Sequence, residues 1–164
     1  MRYPEPESSM LEFKSELPKN HQVVKTIIAF CNSFGGRLVI GIEDNGVVIG
    51  VPEDGIQATI DSLQESIYRS CTPTILPSIY SQRIDDKLLI IVEVSSGMNK
   101  PYFLTSIGML NGTYIRLGAH TYNANDMMVQ ELQWQSRGLS IDAMPVYQAS
   151  IAEVDREKVK KFSE

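Results

Sequence analysis

The sequence is poor in the side chains that build zinc sites and disulfide frameworks. Its 164 residues include two cysteines and two histidines, and the cysteines, Cys31 and Cys71, lie far apart in the chain. No closely spaced pair of cysteines occurs, so neither a structural zinc site nor a disulfide-stabilised secreted domain is predicted. Each cysteine lies in an apolar pattern typical of a helix, and we therefore expect both to be buried and reduced.

Positive charge is also scarce. Lysine and arginine together number 15 against 20 acidic residues, which gives a formal net charge of −5. This balance excludes a protein that holds nucleic acid by a broadly positive surface, because such binding depends on neutralising many phosphates. Any contact with nucleic acid must therefore use a local patch.

Long apolar runs are missing as well. Runs such as LLIIV at 88–92 are far shorter than the roughly 20 residues that span a bilayer as a helix. The first ten residues, MRYPEPESSM, lack the apolar segment of a secretory signal. The sequence predicts a cytoplasmic protein with no membrane partner.

Three stretches have the apolar spacing of amphipathic helices. The first starts near Asn20, ends at Gly35 and has apolar positions at Val23, Val24, Ile27, Ile28, Cys31 and Phe34. The second has Asp54 and Gln57 as a capping box, ends before Pro73 and has apolar positions at Ile56, Ile60, Leu63 and Ile67. The third follows Asn123 as N-cap and contains Met127, Met128, Val129 and Leu132.

Between these helices the sequence predicts strands and hairpins. After Gly35, which suits a left-handed position, and Gly36, the stretch GRLVIGIED is a buried strand. Asn45-Gly46 predicts a turn, with VVIGV as the returning strand. SIYSQRI and KLLIIVEV form a second hairpin, and YFLTS and GTYIRLG are shorter strands. The fold class is therefore α+β, with a mixed, largely antiparallel sheet and about three helices packed against it.

The length suits one compact domain with its own core. We predict that this domain covers residues 1–137. From 138 the chain becomes loop-like, and 138–164 is expected to be a linker and the start of a following segment of a longer natural protein.

Four segments carry a family resemblance: ESSMLEFK at 7–14, FCNSFGGRLVIGIEDNGVVIGV at 30–51, VEVSSGMNKPY at 92–102 and GTYIRLGAHTYNAND at 112–126. Together, over residues 7–134 and in this order, they resemble the Schlafen AlbA-like domain, which occurs at the N-terminus of many predicted bacterial transcriptional regulators. The resemblance implies a DNA-binding module of such a regulator. Because some Schlafen proteins are nucleases that act on structured RNA, a metal-dependent endoribonuclease is the alternative, and a non-catalytic dimerisation module is a third.

The resemblance also implies a carboxylate site, drawn from Glu7, Glu12 and either Glu43 or Asp44. As metal ligands, Glu7, Glu12 and Asp44 would hold Mg²⁺ or Mn²⁺, which polarises a phosphate and activates water. Glu7 and Glu12 converge only if their segment is neither a regular helix nor a regular strand. The alternative is structural: Glu12 pairs with a neighbouring Lys or Arg, and Asp44 caps the turn before Asn45-Gly46.

For nucleic-acid contacts, the resemblance directs attention to Lys14, Arg37, Lys100, Tyr114 and Arg116. Strand alternation places Tyr114 and Arg116 on one face, where on an open surface an arginine beside a tyrosine can contact phosphate and stack on a base. The alternative for each cation is a surface ion pair. A homodimer is expected, because two copies would combine their positive groups in one groove.

Overall fold

The computed structural model describes residues 1–17 and 22–138. Their elements are, in chain order, β1 (Leu11–Lys14), α1 (Gln22–Cys31), β2 (Gly35–Ile40), α2 (Ile56–Ser70), β3 (Cys71–Thr72), β4 (Ser78–Ile84), β5 (Lys87–Ser95), β6 (Phe103–Leu104), α3 (Met109–Gly112), β7 (Tyr114–Leu117), β8 (His120–Asn123) and α4 (Asp126–Ser136). The chain divides into two units, Met1–Gln133 and Trp134–Glu164. The expected helix start near Asn20 and the expected segment beyond Gly138 lie outside the described residues.

A four-stranded sheet in the order β1-β2-β5-β4 forms the centre of the first unit. Strands β1 and β2 are parallel, whereas β2–β5 and β5–β4 are antiparallel pairs. Two further antiparallel ladders join β3 to β6 and β7 to β8. The described residues contain four helices, of which α3 has only four residues. The predicted α+β fold with a mixed, largely antiparallel sheet is confirmed.

Both faces of the sheet are covered. Helices α1 and α2 pack their apolar side chains on one face, against Leu38, Ile40 and Val92 among others. On the opposite face lies a second apolar cluster, which includes Leu11 and Phe13 and against which Tyr3 of the N-terminal segment packs. A strand covered on both faces needs apolar residues at every position, which explains the continuous run at 88–92 in β5.

The first helix ends earlier than its apolar spacing predicts. Gly35 has φ +83°, as expected for a glycine that stops a helix, and an added Cβ would lie 2.7 Å from the Val94 carbonyl oxygen. However, α1 stops at Cys31, and Phe34 is 78% exposed. The expectation that Phe34 belongs to the buried helical stripe is therefore wrong, because the turn after Cys31 directs its ring into solvent.

Asn32 joins the end of α1 to the loop and strand that follow in space. Its side-chain Nδ2 donates to the carbonyl oxygens of Tyr102 at 2.9 Å and Tyr114 at 2.8 Å. Its Oδ1 accepts from the Tyr102 N–H at 2.7 Å. All three bonds are buried, so this amide fixes where β7 lies against α1.

The second helix begins differently from its predicted capping box. Its N-cap is Gly55 in the left-handed conformation, and no side chain caps it. Gln57 donates instead to Asp61, one turn later on the same helix face. The predicted box between Asp54 and Gln57 is wrong, whereas the apolar stripe of this helix is buried as expected.

The N-cap of the fourth helix lies two residues after the predicted one. Asn125 Oδ1 accepts from the Met128 N–H at 2.9 Å, which is the bond of an N-cap side chain. Asn123 cannot fill this role because it pairs with Tyr114 as the last residue of β8. Strand β8, which the sequence analysis did not predict, thus includes the position of the expected cap.

The turn at Asn45-Gly46 forms as predicted, with the Gly46 N–H donating to the Glu43 carbonyl oxygen. The returning segment predicted from VVIGV does pair with the preceding strand, through the Ile42–Val48 bridge and the bonds from Glu43 N–H to Val47 and from Ile49 N–H to Gly41, but it does not form a regular ladder. Val47 also bridges to Arg2. The N-terminal segment pairs along the other edge of the returning segment, where the Tyr3 N–H donates to the Gly46 carbonyl oxygen and the Val48 N–H donates to the Met1 carbonyl oxygen, each at 2.8 Å.

Both cysteines are buried and free of disulfides, as expected. Burial raises the pKa of each thiol from 9.0 to about 12. Among the residues that the structure describes, no helix is long and apolar enough to cross a membrane.

Candidate functional site

Three of the four predicted carboxylates line one cavity. This cavity, of about 600 Å³, is called here the polar cavity, and its lining residues are Glu7, Glu12, Phe13, Lys14, Gln22, Thr26, Asp44, Ala119, His120, Thr121 and Tyr122. Its wall combines β1, the first turns of α1, the turn after β2 and the β7–β8 hairpin. Glu43 is exposed in that turn and is not among the lining residues.

The irregular course of residues 7–11 explains why Glu7 and Glu12 line the same cavity. Ser8 and Leu11 exchange backbone hydrogen bonds, which folds the chain into a tight turn before β1. Glu7 Oε2 then accepts from the Phe13 N–H at 2.8 Å. Residues 7–10 thus form neither a helix nor a strand, which allows Glu7 and Glu12 to line the same cavity.

Glu12 forms a buried ion pair with Arg116. The Arg116 side chain is fully buried, donates also to the Ser8 carbonyl oxygen at 2.7 Å and to Thr121 Oγ1 at 3.0 Å, and its guanidinium lies 4.9 Å from the centre of the Phe30 ring. One arginine thus ties the segment before β1, the β7–β8 hairpin and α1 together.

The expected open face of β7 does not exist. Tyr114 and Arg116 do share a face, but this face packs on α1 and β1, and both residues are buried. The opposite face is also covered, since Ile115 packs with Val129 and Leu132 of α4. The idea that Arg116 and Tyr114 meet nucleic acid on an open surface is therefore corrected: they hold the site together from inside.

In their present arrangement, the side chains that line the polar cavity do not fit a cation site made of three carboxylates. Both oxygens of Glu12 have partners, namely Arg116 on Oε1 and Lys14 and Thr26, each at 3.4 Å, on Oε2. Within residues 1–17 and 22–138, no group of three His, Cys, Asp or Glu side chains is positioned to hold a metal ion. The predicted capping role of Asp44 is filled by Asn45, whose Oδ1 accepts from Val47 N–H at 3.1 Å.

The remaining basic residues do not form one patch. Lys14 lies in the polar cavity with its side chain about one-third exposed. Arg37 is paired with Leu11 in the ladder, so it lies on the opposite face of the sheet, where it forms a 2.6 Å ion pair with Glu5. Lys100 donates to the Ser33 carbonyl oxygen at 3.3 Å, and its partial burial lowers its pKa.

A surface that the sequence did not indicate lies beside Arg37. We call it the Phe34 surface and define it by Met10, Phe34, Arg37, Ser95 and Ser96, which line a cavity of about 660 Å³. Phe34 and Met10 are exposed apolar side chains. The sequence did contain a signal for this surface. Turn-forming residues precede Gly35, and they indicate that the helix ends before its apolar spacing does.

The N-terminal segment connects the Phe34 surface to the polar cavity. Glu5 and Pro6 line the Phe34 surface and also a smaller cavity of about 300 Å³. That smaller cavity shares Glu7, Phe13 and Asp44 with the polar cavity. Three cavities with common lining residues thus follow one another along residues 2–8.

Several solved structures are similar to this chain, including the two that follow. The DIP2311 protein from Corynebacterium diphtheriae matches with a TM-score of 0.58 and 20% identity over 80% of this chain, and shares its fold. This chain corresponds to only 24% of that protein's length. The N-terminal domain of a RecG-related protein from Nitrosomonas europaea, whose name relates it to ATP-dependent DNA helicases, matches with a TM-score of 0.52 and 25% identity, covering 70% of this chain and 82% of that domain.

The family model described as "Schlafen, AlbA_2" matches residues 7–125. This range contains the first three motifs that carried the resemblance and all but the last residue of the fourth, and it includes β1, the polar cavity and the β7–β8 hairpin. The chain belongs to the Schlafen AlbA_2 family.

Proposed function

We propose that this domain binds nucleic acid and is the nucleic-acid-contacting part of a larger regulator. The observation that carries the proposal is the succession of three cavities along residues 2–8. Small-molecule sites are enclosed, whereas these three cavities are open, and charged or hydroxyl side chains line each of them beside apolar ones. Such a path suits a polymer that is held by several local contacts.

The family assignment and the RecG-related neighbour support the same proposal. DNA as the preferred polymer, and a setting within a transcriptional regulator, are the finer parts of what we propose. Neither the fold nor the cavity distinguishes DNA from RNA, so both are to be compared directly.

Lys14 is the proposed phosphate contact at the polar-cavity end of the path. Its ammonium lies 3.4 Å from Glu12 Oε2, yet about one-third of its side chain remains exposed. Glu12 is already paired with Arg116, so Lys14 can turn towards a phosphate without leaving that carboxylate unpaired. Because Glu7 and Asp44 also line the cavity, we expect Mg²⁺ or Mn²⁺ to strengthen binding by screening their repulsion of phosphate.

The test is the binding of fluorescent DNA and RNA oligonucleotides to the chain and to Lys14→Ala, measured by anisotropy at several salt concentrations. Removal of one phosphate contact should weaken binding and lower the salt dependence, the slope of log K against log salt, by about one. Lys87→Ala removes the same charge from the exposed β4–β5 turn and is the matched control. Equal effects of the two variants, or no binding at all, would contradict the proposal.

Metal-dependent cleavage of nucleic acid is the second candidate function. It is favoured by the meeting of Glu7, Glu12 and Asp44 in one cavity, and it is weakened by the partners that already occupy Glu12. Cleavage that requires Mn²⁺ and is lost in Asp44→Asn, but kept in Glu43→Gln, would establish it. Glu43→Gln is the matched control because this neighbouring carboxylate does not line the cavity.

Self-association into a homodimer is part of the proposed arrangement. With a net charge of −5, one copy offers few positive groups, and two copies would present twice as many along a shared groove. Light scattering tests this directly, since a monomer has a mass near 18.4 kDa and a dimer twice that value.

A further inference from the structure

Phe34 is displayed on a rigid support. The Ser33 carbonyl oxygen accepts from Ser96 Oγ at 2.7 Å and from Lys100 Nζ at 3.3 Å. Immediately after Phe34 in the chain, Gly35 pairs with Ser95 in the ladder between β2 and β5. The backbone is therefore fixed on both sides of a phenyl ring that is 78% exposed.

The charged side chains that line the cavity beside this ring carry no net positive charge. Arg37 is paired with Glu5 at 2.6 Å, and the Glu93 carboxylate accepts a hydrogen bond from the neutral Tyr80 hydroxyl at 3.2 Å and keeps its negative charge. Duplex DNA is held mainly by neutralisation of its phosphates, to which a surface of this kind contributes little. Base stacking on an aromatic ring does not need net positive charge.

A base can stack on Phe34 only if its own face is free. In a duplex the faces of the bases are covered by their neighbours, whereas an unpaired strand exposes them. Arg37, beside the ring, can exchange its contact with Glu5 for a phosphate or stack on a neighbouring base. The residues of the Phe34 surface thus favour binding of an unpaired strand over binding of a duplex.

We infer that the Phe34 surface binds an unpaired nucleic-acid strand, with one base stacked on the Phe34 ring and the strand continuing along residues 2–8 towards the polar cavity. This inference rests on the proposed nucleic-acid function and specifies its ligand. The stacking contact replaces the broad positive surface that the chain lacks. Salt dependence should accordingly be shallow for binding at this site.

The experiment compares the binding of an unpaired oligonucleotide of about 15 nucleotides with that of a duplex of the same sequence. Both are tested as DNA and as RNA, and binding to the chain is measured by fluorescence anisotropy. Phe34→Ala should weaken binding of the unpaired strand by about 5- to 150-fold, which is the loss of one stacked base. Tyr68→Ala is the matched control, because Tyr68 is an exposed aromatic residue on α2, away from the path.

A second variant reports stacking itself. Phe34→Trp should retain binding, and in a chain whose single tryptophan, Trp134, is replaced by Phe, the new indole should be quenched by the unpaired strand. A duplex bound as tightly as the unpaired strand, or unchanged binding in Phe34→Ala, would overturn the inference and leave the proposed function intact. Absence of binding to every oligonucleotide would overturn both.

Discussion

Replacement of Arg116 by methionine removes the charge that neutralises the buried Glu12 while keeping an unbranched side chain with an apolar stem on the same face of β7. The Arg116 side chain is fully buried and that of Glu12 is 11% exposed, so water cannot take over this role. Loss of one partner from a buried ion pair costs about 3–5 kcal/mol, because the other charge remains without compensation. Ser8 also loses the hydrogen bond to its carbonyl oxygen.

The lower end of that range is expected, about 3 kcal/mol, because Lys14 remains 3.4 Å from Glu12. Urea unfolding followed by circular dichroism measures the change in the free energy of unfolding. The double variant Glu12→Leu/Arg116→Met should recover most of the loss, since apolar residues of similar volume can replace a buried ion pair at little cost. A loss below about 1 kcal/mol, or a double variant no more stable than the single one, would refute the reasoning.

Three further predictions concern stability and reactivity. Asn32→Asp should lower the free energy of unfolding, measured in urea, by several kcal/mol. The new carboxylate cannot donate the two hydrogen bonds that Asn32 gives to buried carbonyl oxygens, and each unsatisfied group costs about 1–3 kcal/mol. A loss below about 1 kcal/mol would show that the amide is not essential. Gly35→Ala should lower the thermal midpoint more than Gly55→Ala, because both residues have positive φ but only Gly35 has backbone atoms within 3.0 Å of an added Cβ; equal shifts would contradict the steric argument. Cys31 and Cys71 should react with a thiol reagent at pH 8 only on unfolding, since their folded pKa of about 12 leaves both protonated, and fast labelling of the native chain would disprove their burial.

Local sequence patterns predicted the elements whose positions depend on near neighbours. The apolar spacing of Val23 to Cys31 gave α1, and the apolar run at 88–92 gave the strand that is buried on both faces. The hairpin of SIYSQRI and KLLIIVEV also formed as predicted, and its turn residues Asp85 and Asp86 both have positive φ. These features follow from the periods of helix and strand and from turn chemistry.

The environment of Arg116 could not be predicted in the same way. Alternation in β7 correctly placed Arg116 on the face of Tyr114, but whether that face is open depends on α1 and β1, which come from distant parts of the chain. Likewise, the spacing of Glu7 and Glu12 did not predict that both line one cavity, because this depends on the turn at Ser8. Phe34 was misplaced because apolar spacing continues past the residue where the helix ends.

The most direct test of the account is a titration of the isotope-labelled chain with an unpaired oligonucleotide, followed by the shifts of its backbone amide signals in NMR spectra. The account predicts shifts along one continuous path that runs from Phe34 and Arg37, past Ser8, to Lys14, with no shift at Lys87. Shifts confined to other surfaces, or none at a saturating concentration of the strand, would contradict it.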